Sequence, residues 1–406
     1  MNVFPRLSTM LAAALLLVAV AARADVITDW NQTGLDATAG IGGSGPQVRM
    51  LAMMHGAMFD AVNATGPRYR FYLGELAAPA GASADAAAAS AGHTVLIALL
   101  PAQKARLDAA LAASLAKINE GAARNDGIDL GRRAGERMLA ARQTDGADAK
   151  VAYTPGSAPP DWRPTPPGFV AAVNPQWGAV KPFLITGNDQ FKPPGMPAAD
   201  SAAYARDVAE VRRLGGRVSR ERSAEQSETA IYWTVSTQVP YNVVARTTAQ
   251  ARNFNLLDNA RLLALLNMAG ADSQFVAWRI KYTQNVLRPV QAIREAGRPG
   301  NPGIEPDPNW EPLIVTPAHP DYLSGHATFG GAASAVLRFV LGENVSGQHT
   351  NVVTRHWDSA TAMEQEIENA RVWAGIHTRT ADEHSSRVGR QLPDYGVRNA
   401  MQPLPQ

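Results

Sequence analysis

Cysteine is absent from the sequence. Disulfide cross-links and thiolate chemistry are therefore excluded, and packing and hydrogen bonds must hold the chain together. An excess of one charge is missing too. Lys and Arg number 38 against 36 Asp and Glu, a formal net charge of +2, so no global field advertises a nucleic-acid partner. Any anion site must be a local cluster of cations. Long apolar runs are confined to the start, "MNVFPRLSTMLAAALLLVAVAARADVITDW". One Arg precedes a short apolar stretch there, and Ala22-Arg23-Ala24 offers a cleavage site. Residues 1–24 read as a secretory signal peptide, too short to prefer a transmembrane role. The expectation is an exported protein, periplasmic or secreted, with no stable membrane span.

Strand-like alternation is sparse, and no repeat of 20–50 residues recurs. What remains is helical. Leu51, Met54, Met58 and Val62 recur at helical spacing, and "ADAAAASAGHTVLIALLP", "KARLDAALAASLAKI" and "NARLLALLNMAGADSQFVAWRIKY" carry similar patterns. Eleven of the 28 prolines fall between Pro155 and Pro197, interleaved with Trp162, Phe169, Trp177 and Phe183. Proline blocks helix continuation, and the aromatics argue for an ordered loop instead of a floppy linker. A second Pro/Gly stretch, "GRPGNPGIEPDPNWEP", precedes "HPDYLSGHATFGG" and the helical "TAMEQEIENARVWAGI". With 46% hydrophobic and 18% charged residues, the chain reads as a globular, mainly α protein of helical bundles with long Pro-rich loops. One domain is expected over residues 25–406, with an N-terminal helical half to about 200 and a C-terminal active-site half from about 201.

Several features carry candidate chemistry. Gly40, Gly42 and Gly45 satisfy G-x-G-x-x-G, but no strand precedes them and Pro46 follows, so a helix-initiating loop is the better reading. His55 and His93 read as core histidines. The other six histidines form three pairs seven residues apart: His319/His326, His349/His356 and His377/His384. Seven residues on a helix is two turns on one face, yet Pro, Gly and a helix end interrupt two of the pairs. Lys281 and Arg288 are also seven apart, on one face of a helix that Pro289 disrupts. Their neighbours Phe275, Trp278, Ile280 and Leu287 are too apolar for a solvated stripe, so two half-buried cations call for an anionic partner. Ser324-Gly325 at a helix start provides a hydroxyl, a close-approaching amide and the positive end of the dipole, with His326 beside them for proton transfer. Arg371 supplies a planar fork, and Gly375 lets His377 turn back after the helix. Lys281, Arg288 and Arg371 together suit a tetrahedral oxyanion.

In order and spacing these three segments resemble the motifs K-x6-R-P, P-S-G-H and S-R-x5-H-x3-D of the superfamily that unites vanadium-dependent haloperoxidases and type 2 phosphatidic acid phosphatases. "LAMMHGAMFDAVNAT", "DWRPTPPGF", "FKPPGMP" and "VQAIREAG" look like its long bacterial branch, related to vanadium chloroperoxidase. The resemblance covers most of the chain after residue 24. It implies vanadate as cofactor, with phosphate competing for the same site. Lys281, Arg288, Ser324, Gly325 and Arg371 would hold the oxyanion, His377 would be the axial ligand and His326 the acid–base residue. Lys281 would polarise bound peroxide. The implied reaction oxidises halide with hydrogen peroxide to hypohalous acid. His319 stands where bromoperoxidases have His and chloroperoxidases Phe, favouring bromide or iodide over chloride. The same pocket would serve an acid phosphatase acting on a phosphate monoester through a phosphohistidine, or a non-catalytic oxyanion-binding protein. Three positions depart from the pattern: Leu323 replaces Pro, Ala370 replaces Ser, and Ala381 stands where the Asp falls, with Asp382 one position late. Either Asp382 substitutes through a shift of one residue, or His377 is held differently.

Overall fold

The computed structural model describes residues 25–405 apart from Pro159 and residues 297–300. Residues 1–24, on which the signal-peptide reading falls, lie outside the described residues.

The described chain is mainly helical. Its first part holds α1 (Val26–Thr38), α2 (Ser44–Ala64), α3 (Ala84–Leu99), α4 (Lys104–Leu115) and α5 (Ala122–Arg142). Gly40 and Gly42 lie in the turn between α1 and α2, as a helix-initiating loop requires. After a long loop come α6 (Ala202–Leu214), α7 (Ala224–Tyr232), α8 (Gln238–Ala251), α9 (Leu256–Gln284) and α10 (Pro289–Arg294). The last part is α11 (Gly325–Leu341), an antiparallel hairpin of β1 (Asn344–Thr350) and β2 (Thr354–Ser359), α12 (Ala360–Trp373) and α13 (Arg379–Asn399). No described helix is long and apolar enough to cross a membrane.

Helix α9 is the centre. It is 29 residues long, and its residues from Leu262 to Trp278 are buried without a break, the mark of a helix surrounded by others. Helix α2 packs on one side of it and α11 on another, while α3 packs on α2 and α5, and α13 on α11. One apolar cluster consequently runs from Ile27 to Met401 and joins both ends of the described chain.

The Pro-rich loop is ordered, and α9 orders it. Asp272, fully buried in α9, accepts the amides of Phe183, Leu184 and Ile185 at 2.6, 2.7 and 3.1 Å. Phe183 stacks on Phe275 and lies under the Arg142 guanidinium at 3.8 Å, and Trp177 packs edge-on against Phe275. Farther back, the Trp162 amide donates to the Asn285 carbonyl and the Leu287 amide to that of Pro160. The Val173 carbonyl accepts from the Tyr282 hydroxyl, while its amide donates to Ala318. The loop thus grips the chain on both sides of the candidate site.

Candidate oxyanion site

Three short segments meet. The first leaves α9, whose last turn carries Lys281. The helix ends at Gln284, where Asn285 turns left-handed (φ 53°), and Arg288 caps α10 with Pro289 in its first turn. Lys281 and Arg288 therefore do not share one helical face. A break of extended chain separates them, and Pro289 starts a helix instead of disrupting one. Both are nevertheless fully buried and point into the same site. The second segment, 317–324, lies alongside, with the Asp321 amide bonded to the Val286 carbonyl at 2.9 Å. It ends at Ser324, the N-cap of α11, and its Tyr322–Leu323 peptide is cis. The third segment leaves α12 just after Arg371 and reverses at Gly375, which has φ +80°. A Cβ there would stand 2.2 Å from the Gly215 carbonyl oxygen, so only glycine lets this turn press against the end of α6 and bring His377 back beside Arg371.

The hydrogen bonds show how tightly these groups are set. Lys281 Nζ donates to the carbonyls of Pro320 (2.7 Å) and Asp321 (3.1 Å), which leaves one ammonium hydrogen for another acceptor. Arg288 donates to the carbonyls of His319 (2.7 Å) and Ile376 (2.6 Å), and its Nη2 lies 2.9 Å from His319 Nδ1. Its Nη1 lies 3.1 Å from His377 Nε2. Arg371 donates to the Trp233 carbonyl at 2.7 Å, while its Nε is buried without a partner among the described residues. Gly325 sits at the first turn of α11, where amides have no intrahelical acceptor. A Cβ at Gly325 would come within 3.0 Å of the Trp278 ring and 3.3 Å of Gln274 Oε1, so the backbone at the helix start is seated directly on α9.

Burial sets the electrostatics. It pushes Lys281 well below the usual ammonium range, helped by Arg288, and brings Arg288 and Arg371 down to about 10. Arg288 and Arg371 keep their charge at neutral pH, and the carboxylates of Asp321 and Asp382 favour the charged form of Lys281 against its burial. His319, His326 and His377 are held well below the usual imidazole range, first by burial and then by the neighbouring cations. They are neutral at pH 7. Of these site groups only His326 is partly exposed, its Nε2 3.3 Å from the Val235 carbonyl.

Every residue singled out in the sequence for oxyanion binding or proton transfer gathers at this one place, and His319 joins them, its ring 5.0 Å from that of Trp278. The remaining histidines do not. None of the three pairs spaced by seven lies within a single helix. His349 and His356 are on opposite strands of the hairpin, where His349 meets the Tyr232 hydroxyl, and His384 meets the Tyr322 hydroxyl. His55 is buried on Asn31 and His93 pairs with Asp108.

One residue of the site escaped the sequence reading. Asp321 is fully buried, accepts from His377 Nδ1 at 2.5 Å through Oδ1 and from the Thr378 hydroxyl at 3.1 Å through Oδ2. The available signal was an acidic residue within the short stretch between Pro320 and Ser324, in a segment otherwise built for burial. Asp382 is buried beside the Ser324 hydroxyl and makes no hydrogen bond to His377, and burial raises its pKa well above the usual carboxylate range.

The donor set fits a tetrahedral oxyanion. Three buried cations face two buried carboxylates, one guanidinium nitrogen has no partner, and a helix start, a hydroxyl and an imidazole lie among them. The helical arrangement as a whole is that of the vanadium haloperoxidases. It superposes on a bacterial vanadium-dependent iodoperoxidase with a TM-score of 0.75 at 24% identity, over 93% of this chain and 97% of the other. A bacterial vanadium-dependent chloroperoxidase in its holo form gives the same score and coverage at 18% identity. Residues 261–405 match the family described as the VCPO second helical-bundle domain. The vanadium chloroperoxidase of Curvularia inaequalis is 25% identical, over 56% of this chain and 51% of its own. The chain thus spans about half the length of that curated relative.

Proposed function

We propose that this protein is a vanadate-dependent haloperoxidase. The observation that carries the reading is the buried triad of cations, Lys281, Arg288 and Arg371, gathered around His377 and the start of α11. Lys281, Arg288, Arg371, the Ser324 hydroxyl and the Gly325 backbone would hold vanadate, and His377 would meet it through Nε2. Bound vanadate would supply a Lewis-acid centre at which hydrogen peroxide is activated toward halide without a change of oxidation state. The protein's part is electrostatic and positional. Its cations offset a charge of two or three that water would otherwise have to solvate, and their geometry is set before the anion arrives. Neutral His326, on the solvent side, would accept a proton from an oxygen in the site and return it. Lys281, bonded to two backbone carbonyls, would offer its remaining hydrogen to an oxygen held in the site.

Bromide or iodide is favoured over chloride. His319 Nδ1 lies 2.9 Å from Arg288 Nη2, a donor, and 3.3 Å from the Pro320 carbonyl, an acceptor; the shorter contact puts the lone pair on Nδ1 and the ring's hydrogen on Nε2. That leaves an N–H in the site where a phenyl ring would offer none.

The deciding experiment uses purified protein stripped of bound anion. With vanadate, peroxide and bromide or iodide it is expected to halogenate a phenolic dye, and without vanadate it is expected to be inactive. No halogenation at any pH with any halide, together with brisk hydrolysis of a phosphate monoester in the absence of vanadate, would overturn the reading in favour of a phosphatase. Retained vanadate or phosphate binding with neither activity would leave an oxyanion-binding protein.

A further inference from the structure

We infer that Asp321, and not the Asp382 that follows the third motif, is the carboxylate that positions His377. It fixes the ring through Nδ1–H and aims the Nε2 lone pair at the oxyanion. The inference rests on the reading of His377 as the residue that meets the anion.

The carboxylate contact assigns the tautomer. A carboxylate accepts, so Asp321 Oδ1 at 2.5 Å requires the hydrogen on Nδ1 and leaves the lone pair on Nε2. Arg288 Nη1 lies against the ring, 3.1 Å from Nε2 and 3.4 Å from Nδ1, nearer the nitrogen that carries the lone pair. Asp321 is itself fixed at several points. Its second oxygen takes the Thr378 hydroxyl at 3.1 Å, its amide is tied to Val286, and its carbonyl accepts from Lys281. A residue anchored to all three segments is suited to hold an imidazole at one angle. Asp382 is not: its carboxylate is buried beside the Ser324 hydroxyl and makes no hydrogen bond to His377. The task that one-residue displacement of the third motif leaves unfilled is thus taken by a carboxylate 56 residues before His377. Carboxylates that orient a ligating imidazole change anion or metal affinity by about ten- to a hundredfold when removed.

The test compares Asp321→Asn with Asp382→Asn in the full protein labelled with nitrogen-15 histidine. Vanadate affinity is measured by equilibrium titration, and the ring nitrogen signals of His377 are recorded without anion. Asp321→Asn is expected to lose about ten- to a hundredfold in affinity and to shift the His377 signals away from the Nδ1–H tautomer. Asp382→Asn is expected to leave those signals in place. A folded Asp321→Asn protein with unchanged affinity and unchanged signals would overturn the inference, as would signals moved by Asp382→Asn alone. If Asp321→Asn does not fold, Thr378→Val carries the test. It removes one of the two bonds that orient the carboxylate, and unaltered His377 signals would then count against the inference. Because the nitrogen signals need no anion, they judge Asp321 even if the wild-type protein binds no vanadate. That outcome would overturn only the haloperoxidase reading.

Discussion

His319 shows what a single ring adds to the site and how it can be checked. It takes a hydrogen bond from Arg288 and lies against Trp278, so a phenyl ring would keep the packing and lose the polar atoms. In His319→Phe the ratio of chloride to bromide turnover, measured at saturating vanadate, is expected to rise about tenfold, equivalent to ~1.4 kcal/mol in the barrier. An unchanged ratio would remove His319 from halide choice. Lys281, Arg288, Ser324, Gly325, Arg371 and His377 were all legible from residue type and order, because each is a polar or flexible residue in an apolar stretch. Asp321 was not. A lone acid in a loop has no spacing to announce its partner, and only the folded chain shows that His377 is its neighbour.

Among the elements, α6 and the turn after α12 support the site from behind. Gly215 and Gly375 touch backbone to backbone, so either as alanine would force the two apart. Gly375→Ala adds a left-handed backbone to the clash, since its φ is +80°, whereas Gly215 has an ordinary φ of −92°. Gly375→Ala is expected to cost about 3 kcal/mol or more in denaturant unfolding, and to weaken vanadate binding by displacing His377 relative to Arg371. Gly215→Ala should lower stability less. Equal stability of Gly375→Ala and wild type would show the turn to be looser than described. The long helices were readable from their periodicity. The end of α9 was not, because Pro289 suits both the interruption of one helix and the first turn of the next, and only Asn285 marks the break. The hairpin Asn344–Ser359 hid for another reason: its strands are largely polar and exposed, so they lack the apolar alternation by which strands are recognised.

At the scale of the molecule, the unusual economy is in buried neutral imidazoles. His55 belongs to a buried network in which Asn31 donates to its Nε2 at 2.7 Å and bridges to Asn242, which pairs with Asn267. Burial, and then Arg246, lowers its pKa from 6.5 to about 3. The unfolded chain therefore binds a proton that the folded chain refuses between these values. Stability from this group is present above pH 6.5 and is lost as pH falls toward 3. In urea titrations between pH 7 and 4, wild type is expected to lose stability faster than His55→Gln by about 1.4 kcal/mol per pH unit below 6.5. Parallel curves would mean that His55 titrates normally. His319, His326 and His377 act in the same direction, while the buried carboxylates Asp60, Asp272 and Asp321, each raised to about 6, act oppositely, so the difference between the two proteins isolates His55.

The grip of Asp272 on three successive amides also bears on the order in which the protein is made. Phe183 leaves the ribosome 89 residues before the carboxylate that will receive its amide. At about 5–20 residues per second, synthesis keeps those amides waiting several seconds in water. The loop cannot settle as it emerges; it is shaped in retrospect, by the same helix that delivers Lys281 nine residues later. A chain interrupted before α9 would present its prolines and aromatics with no template, and quality-control machinery would meet it in that state.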